Sequence, residues 1–195
     1  MKSAFTALLA VLCILGASVA GAKTLKLTPA QPQPSGLKPG LSVVYAYGKG
    51  SGKDIKFLNH ARSVLQAGAE RGKPLRGLDY RDTNLGENTL TSKSDQNVAA
   101  QISGYIRFDQ PGIYTLDFFT NDGLDARISG QRVGHFDGRQ TCDSTYQYDV
   151  EVPAAGWYKF DATYFNRLNT SCLMMRWAPK GKRMQWVPNS AFGRK

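Results

Sequence analysis

The stretch "VAAQISGYIRFDQPGIYTLDFF", residues 98–119, decides the fold. Ala100, Ile102, Ile106 and Phe108 share one face of its first half, and Gln101, Ser103, Tyr105 and Arg107 share the other. That alternation has the period of two of a half-buried strand, not the 3.6 of a helix. "DQPG", residues 109–112, supplies the proline and glycine of a turn, after which Tyr114, Leu116 and Phe118 again fall on one side. The stretch reads as an antiparallel hairpin with one wet face and one dry face.

Working outward, the same alternation returns downstream. It runs through "LDARI" (124–128), "TYQYDVEV" (145–152), "WYKFDATY" (157–164) and "CLMMRW" (172–177). The second of these aligns Tyr146, Tyr148, Val150 and Val152, and the third aligns Tyr158, Phe160, Ala162 and Tyr164. Each run is bounded by Gly, Pro, Asn or Asp. Short alternating strands at near-regular spacing predict an all-β chain, an antiparallel β-sandwich or barrel. Upstream, "LSVVYAYG" (41–48) reads as one more strand. Ile55, Leu58, Ala61, Arg62 and Leu65 recur at helical spacing, which predicts a short surface helix within 54–69, stopped by Gly68 or Gly72.

The chain opens with Lys2 and then carries no charge from Ala4 to Ala22, ending in Ala20-Gly21-Ala22. This is the pattern of a secretory signal peptide, residues 1–22. Its Leu-rich part is shorter than the roughly 20 apolar residues that span a bilayer. Leu12 stands before Cys13 where a lipoprotein signal wants a small residue. With no second long apolar run, no transmembrane segment is expected after cleavage. Residues 23–40 hold Pro29, Pro32, Pro34 and Pro39 and read as an extended tether; residues 41–195 then make a single domain.

Export implies an oxidising compartment, a periplasm or the outside of the cell. Cleavage leaves two cysteines, Cys142 and Cys172, so the expectation is one disulfide between them. Closing a loop of about 31 residues contributes about 3 to 4 kcal/mol in the chain-entropy account. The formal net charge of +10 predicts attraction to polyanions. Arg71, Lys73, Arg76 and Arg81, with Lys180, Lys182, Arg183, Arg194 and Lys195 near the end, are candidates for phosphate or sulfate contacts. Anionic glycans or lipopolysaccharide phosphates suit an exported chain, and nucleic acid does not.

Little in the sequence speaks for catalysis. His60 and His135 are the 2 histidines, and there is no G-x-S-x-G elbow, H-E-x-x-H helix or Gly-rich phosphate loop. The expectation is a protein that is not an enzyme. Carboxylates far apart in a chain can still pair, which keeps a small glycoside hydrolase as an alternative.

Taken in order, "NVAAQISGYIRFDQPGIYTLDFFTNDGLDARISGQRV" (97–133), "VPAAGWYKFDATYFN" (152–166) and "LMMRWAPKG" (173–181) with "WVP" (186–188) resemble the protective-antigen-type domain, the β-sandwich named after the anthrax toxin component. The likeness covers residues 97–188, and "PGLSVVYAYG" is similar to the family's opening strand. The resemblance implies a carbohydrate-recognition module. In lectin members an adjacent acidic pair, joined by a cis peptide, and a later Asn bind calcium that coordinates sugar hydroxyls. Carried over, these fall on Asn121, Asp122 and Asn166. The first member of the pair is Asn here, so one negative charge is missing and calcium affinity should drop. Asn121-Asp122-Gly123 reads equally as the tip of a tight hairpin. The proposed disulfide ties the loop carrying Asp137, Arg139 and Asp143 to the one carrying Arg167 and Asn169, so that Asp137, Arg139, Arg167 and Asn169 are candidate ligand contacts. The expected function is binding of a glycan or a glycan-bearing surface, with calcium as the one implied cofactor. A structural or protein-interaction module of the envelope is the main alternative.

Overall fold

The computed structural model describes residues 24–48 and 55–195, so the leader, residues 1–22, lies outside the described residues. In chain order the strands are β1 (Leu25–Lys26), β2 (Lys38–Pro39), β3 (Ser42–Tyr47), β4 (Glu70–Arg71), β5 (Asp79–Tyr80), β6 (Val98–Phe108), β7 (Gly112–Thr120), β8 (Gly123–Ile128), β9 (Gln131–Phe136), β10 (Asp143–Val152), β11 (Gly156–Asn166), β12 (Leu173–Pro179), β13 (Gln185–Trp186) and β14 (Phe192–Arg194). An α-helix, α1 (Leu58–Ala67), follows β3. A six-stranded sheet runs β1-β10-β7-β12-β13 with β5 also on β12. An eight-stranded sheet runs β2-β14-β6-β11-β8-β9, with β3 on β6 and β4 on β3. The pairings are antiparallel except β1 with β10.

The opening hairpin splits between the layers: β6 is central in the larger sheet and β7 in the smaller. Ala100, Ile102, Ile106, Phe108, Leu116 and Phe118 are buried between them, as the alternation requires. Phe118 stacks near Phe160 of the opposite sheet at 6.5 Å between centroids, and Phe108 meets Trp177 at 5.1 Å. Aromatic pairs of this size tie the two layers through burial more than through ring geometry.

α1 lies on the outer face of the larger sheet, where Ile55, Leu58 and Ala61 cover Ala99 and Phe165. It starts at Leu58, and its first turn has no side-chain cap of its own. The free N–H of Leu58 is instead taken by Asp137 Oδ1 at 2.7 Å. A carboxylate there answers both the unpaired donor and the positive end of the helix.

Two expectations change. Tyr146 is 79% exposed rather than aligned with Val150 and Val152. A register shift between Ser144 and Gln147 inserts a bulge, and Tyr146 takes a left-handed φ of 75°, so the parity of the strand breaks there. The Pro-rich segment is extended, yet it lies along the sandwich rather than standing off as a tether. Leu27 is 1% exposed within the main core, and Gln33 brackets the Trp157 backbone with bonds of 2.8 and 3.1 Å. β2 adds a strand beside β14. Prolines remove donors but leave these edge pairings open.

Candidate functional site

β7 and β8 are joined by Asn121 and Asp122, and Asp122 adopts a left-handed φ of 61°. Short side chains that bond locally tolerate this region best. Gly123 begins β8 opposite Phe165 of β11. A Cβ at Gly123 would sit 2.0 Å from the Phe165 ring, so close packing requires glycine here. The next residues along the chain from Phe165 are Asn166 and Arg167, and the Arg167 backbone N–H reaches Asp122.

The connection is no free hairpin tip. Asn121, Asp122 and Asn166 are 6%, 2% and 0% exposed. Asp122 Oδ2 accepts the backbone N–H of Arg167 at 2.6 Å, and the Asp122 N–H donates to the Gln140 carbonyl at 3.2 Å. The Asn121 N–H donates to the Cys172 carbonyl at 3.1 Å, and its side-chain amide reaches Thr170 Oγ1 at 3.3 Å. Gln140 Nε2 donates to the Thr120 carbonyl at 2.9 Å. Cys142 and Cys172 form the expected disulfide, with Cα atoms 5.8 Å apart. Thus the loops 137–143 and 167–172 close over the β7–β8 connection.

Asn166 Nδ2 donates to Thr89 Oγ1 at 3.1 Å and to the Asp95 carbonyl at 2.8 Å. Its Oδ1 is buried and has no hydrogen-bond partner among the described residues. Tyr164 Oη, Ser171 Oγ and Arg167 Nε nearby in the chain are likewise buried without partners. Unpaired buried polar atoms are uncommon and call for an explanation such as an ion or water. Burial pushes the Asp122 carboxyl above its usual range, against the opposing Arg167 N–H and the charges of Arg139 and Arg167. The Tyr164 hydroxyl is raised well above its ordinary value by burial and by the Asp122 charge.

The residue types are those that an oxygen-seeking cation of the calcium class takes as ligands. Asp122 offers a buried carboxylate, Asn166 an unpaired amide oxygen and Asn121 a second amide. Among the described residues no three His, Cys, Asp or Glu side chains gather, so such a site has one formal charge and weak affinity. The Asn121–Asp122 bond is trans; the cis peptide among the described residues is Gln31–Pro32.

Of the remaining expected contacts, Arg139 and Arg167 place their charge by Asp122. Asn169 is exposed in a left-handed turn with φ 66°. Asp137 is engaged with the start of α1. Thr89, Asp95, Gln140 and Thr170 were not singled out in the sequence. They lie in irregular loops with no periodicity to mark them, and only tertiary contact reveals their part.

A family model for the PA14 domain matches residues 80–190. The chain belongs to the PA14 domain family. Solved PA14 folds agree in architecture. The PA14 domain of the MpAFP antifreeze protein superposes with a TM-score of 0.67 at 14% identity, over 83% of this chain and 93% of that one. The PA14 sugar-binding domain of an RTX adhesin gives 0.63 at 16% identity, over 80% and 99%. The Epithelial Adhesin 6 A domain from Candida glabrata, solved in complex with Galβ1-3GlcNAc, gives 0.69 at 14% identity, over 88% and 94%. Among curated protein sequences no relative matches. At such identities the solved structures speak for the fold, and function must be argued from the site. No described helix is long and apolar enough to cross a membrane.

Proposed function

We propose that this PA14 domain is an exported, non-catalytic carbohydrate-binding module that recognises a glycan or glycan-bearing envelope surface at the β7–β8 connection. The observation that carries the reading is the buried junction of Asp122 with the Asn166–Arg167 step, where Asn166 Oδ1 is left unpaired. A calcium ion would be held by Asn121, Asp122 and Asn166 and would supply coordination to sugar hydroxyls. The chain's own part is to hold those oxygens in place: the disulfide and the Gln140 and Thr170 bonds keep the loops closed over them. Arg139 and Asn169 are exposed and Arg167 is half-buried, and in this reading these side chains would meet the sugar. Support for the glycan class comes from the sugar-binding domains that share the fold. The disulfide suits a periplasmic or secreted location.

The deciding experiment is a glycan array probed in calcium and in chelator, alongside calorimetric titration of calcium into the wild type and Asp122→Asn. The expected result is glycan binding that disappears with chelator, and a saturable calcium heat lost in the variant. Glycan binding indifferent to both changes would move recognition elsewhere on the sandwich. A blank array would leave an envelope protein-interaction module.

A further inference from the structure

The outward face of the larger sheet carries a concave feature, away from the β7–β8 connection. Two adjoining hollows of about 190 and 240 Å³ share Ser42, Arg194 and Lys195 in their walls. Ser103 and Lys159 line the first, and Arg71 lines the second. Ser42 and Ser103 face each other across β3 and β6. Their neighbours Val43 and Ile102 point into the core, which leaves the two hydroxyls on the outer side. Arg71 projects from β4, beside Val44 of β3, and Arg194 from β14.

The charges do not cancel. No acidic side chain is among the walls of either hollow. Lys159 is paired with Asp161 at 3.3 Å, whereas the ion pairs among the described residues include neither Arg71 nor Arg194. The neighbouring Glu70 is taken by Lys93 at 2.8 Å. Arg194 Nε is buried and has no partner among the described residues. A buried guanidinium donor left unpaired loses its hydration without compensation, which an acceptor in the hollow would relieve.

A second arginine cluster on this face shows the contrast. Arg62, Arg127 and Arg132 surround the buried Asp125 at 2.7, 3.4 and 2.9 Å, so their inward donors already have an acceptor. The walls of the hollows carry no such carboxylate side chain.

We infer that Arg71 and Arg194, with the hydroxyls of Ser42 and Ser103, form an oxyanion site for a sulfate or phosphate ester on a sugar. Guanidinium forks match the oxygens of such esters, and serine hydroxyls complete a tetrahedral set. Each hollow is smaller than the roughly 300 Å³ at which ligand pockets begin, so it would seat the ester group and leave most of the sugar outside. Ser103 stands five residues along β6 from Val98, the partner of Asn166, roughly 17 Å at strand rise. The site is therefore separate from the calcium-type junction and does not rest on it.

Amide and arginine Nε resonances of the full chain, followed by nuclear magnetic resonance in chelator, test this with glucose 6-sulfate, glucose 6-phosphate and glucose. The expected result is a saturable shift of Arg194 Nε–H and of the Ser42, Ser103 and Gly104 amides with one or both esters, and none with glucose. Arg194→Gln and Arg71→Gln should each weaken ester binding about tenfold. Lys26→Gln, which removes equal charge from the other sheet, should stay within about twofold of wild type. Arg71 is exposed, so its variant remains informative if Arg194→Gln fails to fold. No saturable shift with either ester, or equal weakening by Lys26→Gln, overturns the site. Binding of one ester alone names the source of the oxyanion.

Discussion

Asp122 Oδ2 accepts the backbone N–H of Arg167 at 2.6 Å, across 45 residues of sequence. That bond turns what could have been a hairpin tip into a junction between three segments. It also sets a carboxylate in a buried place where charge is costly.

The cost has a pH signature. Burial raises the Asp122 carboxyl above its unfolded value, so the native state holds this proton more tightly than the unfolded chain. The associated stability is present below the ordinary carboxylate pKa and is lost as pH rises through the raised one. In calcium-free urea titrations the stability of wild type relative to Asp122→Asn should therefore fall with rising pH across that window. A constant difference would show that the carboxyl is not strained by burial.

Asp125 should behave in the opposite sense. Burial alone would raise it, but the Arg132 bond and the charges of Arg127, Arg132 and Arg62 hold it below its usual range. Its contribution is present above the unfolded pKa and is lost as pH falls through the depressed one. Asp125→Asn should cost about 1 to 2 kcal/mol at neutral pH, discounted because the arginines are half-exposed, and little in strong acid. An equal cost at both ends of the range would point to shape rather than charge.

The Cys142–Cys172 bond holds the 137–143 loop to Cys172, whose carbonyl receives the Asn121 N–H. Replacing both cysteines by serine should lower unfolding free energy by about 3 kcal/mol in urea. Faster amide exchange at Asn121 and Asp122 should accompany it. Unchanged exchange would mean that the hydrogen bonds alone secure the junction.

Gly123→Ala would drive a methyl into the Phe165 ring. The expected loss is about 1 to 3 kcal/mol, as for other overpacked cores. Phe165→Leu in the same chain should return part of it, because the obstruction is the ring. No recovery in the double variant would place the strain in the backbone instead.

Strand parity was legible in the sequence because alternation is a local property: Ala100, Ile102, Ile106 and Phe108 go inward wherever the strand is regular. The helix was legible for the same reason, and the PA14 resemblance rested on an ordered set of such local pieces. Tyr146 was not, since a bulge shifts parity without a composition signal. Nor was the docking of residues 24–40, because burial of Leu27 depends on a pairing with β10 more than a hundred residues away.

The candidate site divides along the same line. Sequence determined which residue types stand at 121, 122 and 166, and hence that one charge of the family's pair is absent. Tertiary structure decided what surrounds them: that Asp122 meets Arg167, that Asn166 Oδ1 is left unpaired, and that Asp137 serves the start of α1 instead. Only folding brings Arg71 and Arg194 to the walls of one pair of hollows. Side-chain alternation is written into every few residues, whereas desolvation and the pairing of charges depend on neighbours that chain closure alone supplies.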